Sequence, residues 1–80
     1  MRWRQFYAKG IREPSAVRSQ YLVSSVRVFE TPMHWRIDIW NRGGKSGEIV
    51  VNAADGPTFL DMLLPPAIRE EATEAEEIKL

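Results

Sequence analysis

The stretch Met33-His34-Trp35-Arg36-Ile37-Asp38-Ile39-Trp40-Asn41 decides how this chain is read. Met33, Trp35, Ile37 and Ile39 alternate with His34, Arg36, Asp38 and Trp40. Successive side chains of a strand point to opposite faces, so this period of two predicts a strand with one apolar and one mostly polar face. Trp40 falls on the polar face and is expected to point away from the core. Residues 48–53 alternate in the same way, with Ile49, Val51 and Ala53 on one side and Glu48, Val50 and Asn52 on the other. The glycine-rich Asn41-Arg42-Gly43-Gly44-Lys45-Ser46-Gly47 between them reads as a turn. A hairpin centred on Gly44 sets Ile39 opposite Ile49, Ile37 opposite Val51, Trp40 opposite Glu48 and Arg36 opposite Asn52. That register gathers the apolar residues on one face, as a sheet with one buried face requires.

Working outward, residues 21–29 are rich in β-branched types and predict a preceding strand, with Leu22, Val26 and Val28 on the side of Trp35 and Ile37. Glu30-Thr31-Pro32 joins it to the next, since Pro32 has no N–H for a ladder. Residues 2–8 add a fourth strand whose buried face the pattern leaves open. Residues 10–14 read as a loop, after which Ser15 either caps a short turn or belongs to irregular chain. On the other side, Thr58 and Asp61 have capping-box spacing ahead of Phe59, Leu60, Met62, Leu63 and Leu64, a short helix apolar nearly all round that must be covered on most sides. Pro65-Pro66 ends it. The expected fold is α+β: a small antiparallel sheet of three to four strands in meander order, one short C-terminal helix packed on one face, then an acidic tail that is helical or disordered. Residues 1–66 read as a single domain and 67–80 as the tail, where Ile68, Ala72, Ala75 and Ile78 would make a thin helical stripe.

The formal net charge of the 80 residues is zero, and it conceals a split. Residues 1–45 hold nine Lys or Arg against three Asp or Glu, a net of +6. Residues 46–80 hold two basic against eight acidic residues, a net of −6. Such a chain is a dipolar molecule or a basic body with an acidic tail. The tail would mimic nucleic acid, fold back to screen its own basic sheet, or simply be solvated. A domain of this size buries only about 60% of its unfolded surface, and without cysteine it has no disulfide to compensate. Stability drawn from self-association or a partner is therefore expected. Met1-Arg2-Trp3-Arg4-Gln5 has no apolar run behind it, and no stretch approaches the ~18 apolar residues of a membrane span. A cytoplasmic protein with no membrane partner, metal or cofactor is the expectation.

Catalytic motifs are weak. Gly43-Gly44-Lys45-Ser46 resembles the end of a phosphate-binding loop, but Ile39 stands where that pattern needs its first glycine and a strand follows where it needs a helix. His34, the one histidine, shares a strand face with Asp38 at about 13 Å, too far for a dyad; a serine across the sheet, Ser24 or Ser25, is the alternative. Paired glutamates occur only in the tail, where no desolvated pocket would raise a carboxyl pKa. An enzyme is not expected.

The stronger pattern is basic and aromatic. Trp and Arg are enriched at binding hot spots, so Trp40 amid Arg36, Arg42 and Lys45 reads as a protein-binding patch on a small non-catalytic interaction protein. By size and character alone, such a protein has the economy of a phage-type inhibitor of a host system such as CRISPR defence. The alternative is a nucleic-acid-binding module using a basic-aromatic sheet surface, with Arg2, Arg4, Lys9 and Arg42 meeting phosphates and rings stacking on bases. A homodimer through edge strands or the apolar helix is a third reading.

Overall fold

The computed structural model describes residues 2–9, 23–41 and 44–72. Strands β1 (Arg2–Ala8), β2 (Ser25–Glu30), β3 (His34–Asn41) and β4 (Gly44–Asn52) are followed by a 3-10 turn at Ala53–Asp55, helix α1 (Gly56–Leu63), a second 3-10 turn at Pro66–Ile68 and strand β5 (Arg69–Glu71). They form one antiparallel sheet in the order β4-β3-β2-β1-β5. The expected meander is β2-β3-β4, and β1 joins its inner edge. The strand count is five rather than three to four. The extra strand lies in the segment expected to be helical or disordered, and it exists only by pairing with β1: Glu70 lies opposite Tyr7, and the Ala72 N–H donates to the Gln5 carbonyl at 2.8 Å. Three residues are too few to show a period. Residues Tyr21, Leu22, Ser15, Ala75 and Ile78, on which other expectations rested, lie outside the described residues, as do the loop at 10–14 and Arg42 and Gly43.

The β3–β4 register differs from the expected one by two residues. Ile37 faces Ile49 and Ile39 faces Gly47, so Arg36 meets Val50 rather than Asn52. The reason is a tighter reversal: the strands are already paired at Asn41 and Gly44, and Gly44 has φ +128°, a conformation that favours glycine. A bulge between Ile39 and Trp40 then inserts Ser46 as an extra residue, whose Oγ donates to the Ile39 carbonyl at 3.2 Å. It brings Lys45, not Glu48, opposite Trp40. Because the slip is even, the side chains of residues 35–40 and 48–52 keep their expected faces. Met33, expected on the apolar face, is exposed in the β2–β3 turn, where Thr31 Oγ1 donates to the His34 carbonyl at 2.8 Å and accepts from the His34 N–H at 3.0 Å.

One sheet face carries the core. Phe6, Ala8, Val26, Val28, Trp35 and Ile37 pack with Leu60 and Leu64 from the helical segment. Ile37, Leu64, Val26 and Val28 are fully inaccessible, and burying each side chain is worth about 1.5–3 kcal/mol. Helix α1 starts at Gly56, so Thr58 is an exposed residue inside it and not its cap. Pro57 suits this first turn, because its fixed φ is already helical and no intrahelical N–H is needed there. A Cβ added at Gly56 would lie 2.8 Å from Trp35 Cε2 and closer still to Cδ2 and Cε3. The helix N-terminus therefore sits flat on the indole. At the other end Leu64 is extended, as the residue before a proline prefers. Met62 is exposed, so the helix is covered along one side only, not nearly all round. Asp61 pairs with Arg69 (2.8 Å), whose Nη1 also donates to the Leu64 carbonyl at 3.0 Å, tying β5 to the end of the helix.

Three substitutions test this packing by denaturant unfolding. Gly56→Ala gains about 1 kcal/mol of helix propensity but should still lose about 1–3 kcal/mol net, because the added methyl overpacks Trp35. Gly47→Ala, where an added Cβ meets nothing within 4 Å, should stay within about 0.5 kcal/mol of the parent. Leu64→Ala should cost about 2–5 kcal/mol through the cavity it leaves.

Candidate functional site

The sheet has a second face, and no helix among the described residues covers it. Antiparallel partners share a face, so the register reads off its rows across the strands. One row is Trp3, Phe29, Arg36 and Val50; the next is Gln5, Arg27, Asp38 and Glu48; the third is Glu70, Tyr7, Ser25, Trp40 and Lys45. A face of this composition would leave aromatic rings and strand backbone wet. Instead the side chains cover one another. The Arg27 guanidinium lies 5.0 Å from the Trp3 ring centroid and 5.3 Å from that of Trp40. Arg36 lies 4.2 Å over Phe29, and Phe29 stacks on Trp3 at 6.3 Å with 26° between planes. Lys45 Nζ sits 6.0 Å from the Trp40 ring. Each cation–π contact is worth about 0.5–1 kcal/mol where exposed and about 2 when desolvated.

Polar residues at the middle of this face are buried under that layer. Asp38 is only 5% exposed. Arg36 Nη2 donates to Asp38 Oδ2 at 3.5 Å, Arg36 Nε lies 3.2 Å from Oδ1 without hydrogen-bond alignment, and Lys45 Nζ lies 3.7 Å from Oδ2. Gln5 is equally buried, and its Oε1 accepts from Arg27 Nη2 at 3.3 Å. Arg27 Nε and Asp38 Oδ1 are buried polar atoms with no aligned hydrogen-bond partner, although Arg36 Nε lies beside the latter. Arg27, Arg36 and Lys45 are matched on this face by Asp38, Glu48 and Glu70, so it is balanced in charge among the described residues.

The residues expected to form a protein-binding patch are placed as follows. Trp40, Arg36 and Lys45 share the open face, with Asp38 bridging the two cations. Arg42 lies outside the described residues. Trp40 points off the core as expected, half-buried between Arg27 and Lys45. The nucleic-acid set does not gather in one place. Arg2 and Arg4 lie on the helix side of the sheet, Arg4 paired with Glu30 at 2.8 Å and stacked over Phe6 and Trp35; Lys9 follows the far end of β1. Ser25 is opposite Trp40, six positions along β3 from His34, so neither Ser25 nor its neighbour Ser24 meets the histidine. Lys45 and Ser46 lie in a strand. Arg27, Phe29 and Trp3 were missed as site residues. The signal for the first two was present, since Arg27 and Phe29 alternate with Val26 and Val28; Trp3 required the β1 register, which only pairing reveals. No helix among the described residues is long and apolar enough to cross a membrane.

A double-mutant cycle at Arg27 and Trp40, read by denaturant unfolding, should give a coupling of about 0.5–2 kcal/mol. The same cycle between Arg2 and Trp40, on opposite faces, should give a coupling near zero.

In comparisons with protein-family models, with curated proteins and with solved structures, nothing matches this chain.

Proposed function

We propose that this chain is a non-catalytic binding protein whose open sheet face docks a protein partner, with Trp40, Arg36 and Lys45 at the contact and Trp3 and Arg27 holding the layer in place. The observation that carries this reading is the stacked layer itself: two tryptophans and a phenylalanine locked by three cations on a strand scaffold. Side chains already ordered lose little freedom on binding, which is the main cost that a preformed surface avoids. Trp3 is 39% exposed and Arg36 and Lys45 stay nearly half-exposed, so apolar area and charged donors are both presented outward. Charge balance favours a protein over a polyanion. A nucleic-acid surface gains affinity from uncompensated cations, and here Arg36 and Lys45 are held by Asp38 and Glu48 while Arg27 lies across the sheet from Asp38. Blocking the partner's own contacts, as an inhibitor does, is the simplest action for a domain of this size.

The test is affinity capture from native-host lysate with and without nuclease, followed by titration of the captured partner with variants. A stoichiometric protein that survives nuclease is expected. Trp40→Ala should weaken its binding at least about tenfold, and Arg2→Ala, on the helix side, should leave it unchanged. Capture that vanishes with nuclease, falls steeply with salt, and is abolished by joint reversal of Arg2, Arg4 and Arg42 to Glu would replace this reading with the nucleic-acid one.

A further inference from the structure

The two edges of the sheet differ. β5 is three residues long and charged at each position, Arg69, Glu70 and Glu71, the kind of edge that resists pairing. β4 is nine residues long and ends in Glu48-Ile49-Val50-Val51-Asn52. Among the described residues no strand pairs with its outer side. The Ala53 N–H donates to the Met33 carbonyl at 2.9 Å, so Ala53 and Met33 are a bonded pair. Bonded and non-bonded pairs alternate along an antiparallel ladder. Val51 with Trp35 and Ile49 with Ile37 are then bonded pairs, and the N–H and C=O groups of Glu48, Val50 and Asn52 point away from β3. Val50 is also 63% exposed, a large apolar side chain in the 48–52 stretch of the edge, which holds no lysine or proline; Lys45 and the bulge at Ser46 guard only the hairpin end of β4.

We propose that this edge pairs with the same edge of a second copy of the chain, antiparallel, about a two-fold axis through Val50. In that register Val50 meets Val50 of the other copy and Glu48 meets Asn52, all through outward-pointing groups, and a bonded pair exchanges both of its hydrogen bonds. The side chains match. Val50 packs on its own copy, Ile49 lies across from Val51 on the helix side, and the Asn52 amide donates to the Glu48 carboxylate. Like charges do not face each other, since Glu48 is met by an amide and already holds Lys45 Nζ at 3.1 Å. An axis moved to Glu48 would set two carboxylates face to face. One moved to Asn52 would drive the partner strand into the Ala53–Asp55 turn. The two copies would share one continuous sheet, with both open faces on the same side.

The test is sedimentation equilibrium of the full chain from micromolar to millimolar concentration, with amide hydrogen exchange at the top of the range. The expected result is a mass that doubles with concentration, and N–H groups of Glu48, Val50 and Asn52 that exchange about tenfold more slowly in the dimer. Val50→Lys should remain monomeric at every concentration with the parent's circular dichroism. Val50→Pro should do the same, because the N–H it removes points off the sheet and belongs to no internal ladder bond. If Val50→Pro fails to fold, Val50→Lys decides. Trp40→Ala should still dimerise, which separates this inference from the proposed partner site. A monomeric parent at millimolar concentration would overturn the proposal, as would a dimer that survives Val50→Lys but is lost in Met62→Lys, which would place the contact on the helix. Protection of the three amides only when a different protein is added would overturn it too, by making the occupant a foreign strand.

Discussion

Among the described residues, one eight-residue helix has to cover a five-stranded sheet, and their packing follows from that shortage. The helix reaches the sheet by laying Gly56 on the Trp35 indole, with no room for a methyl between them. From that fixed point the chain delivers Leu60 and Leu64 onto the cluster of Val26, Val28, Phe6 and Ile37. The rim of the core is finished by long cations instead of more hydrocarbon. Arg4 lies over Phe6 and Trp35 while pairing with Glu30; Arg69 lies over Phe6 while pairing with Asp61. Arginine suits this position because its stem and its planar head cover apolar surface while the charge stays hydrogen-bonded.

Among the described residues the second face has no helix, and there side chains solve the same problem. Aromatic rings in alternate positions of β1, β2 and β3 are tiled by guanidinium groups, and the tiling buries Gln5 and Asp38 on what a period-two reading treats as the wet side. Buried polar atoms there are incompletely satisfied. A surface that is ordered, rich in tryptophan and arginine, and neutral in sum has the composition of a protein-binding hot spot more than of a phosphate-binding groove. The β4 edge, unpaired among the described residues, stands beside that face, so a partner on one and a second copy on the other would not compete for the same groups.

Much of this was legible in one dimension. The alternation from Trp35 to Trp40 sorts β3 correctly, and the same period in residues 48–53 and 26–29 assigns the faces of β4 and β2. Face assignment tolerated an error in register, because a slip of two residues returns each side chain to its side. The slip itself came from the turn: Asn41 and Gly44 close the hairpin more tightly than a glycine-rich stretch implies, and Ser46 is then left over as a bulge. The start of α1 was misread for a related reason. Thr58 with Asp61 fits a cap by spacing, but the chain needed a glycine against Trp35 and took Asp61 for Arg69 instead.

The sequence by itself determined the α+β class, the three-stranded meander, the one helix and its proline stop, and the outward side of Trp40. All of these rest on local rules of period, turn chemistry and backbone restriction. Only the tertiary structure decided the fifth strand, the register of β1 and the assembly of Trp3, Phe29, Arg36 and Arg27 into one layer. Those depend on which strands become neighbours, and neighbours across a sheet are separated in sequence by lengths of chain that carry no record of the pairing.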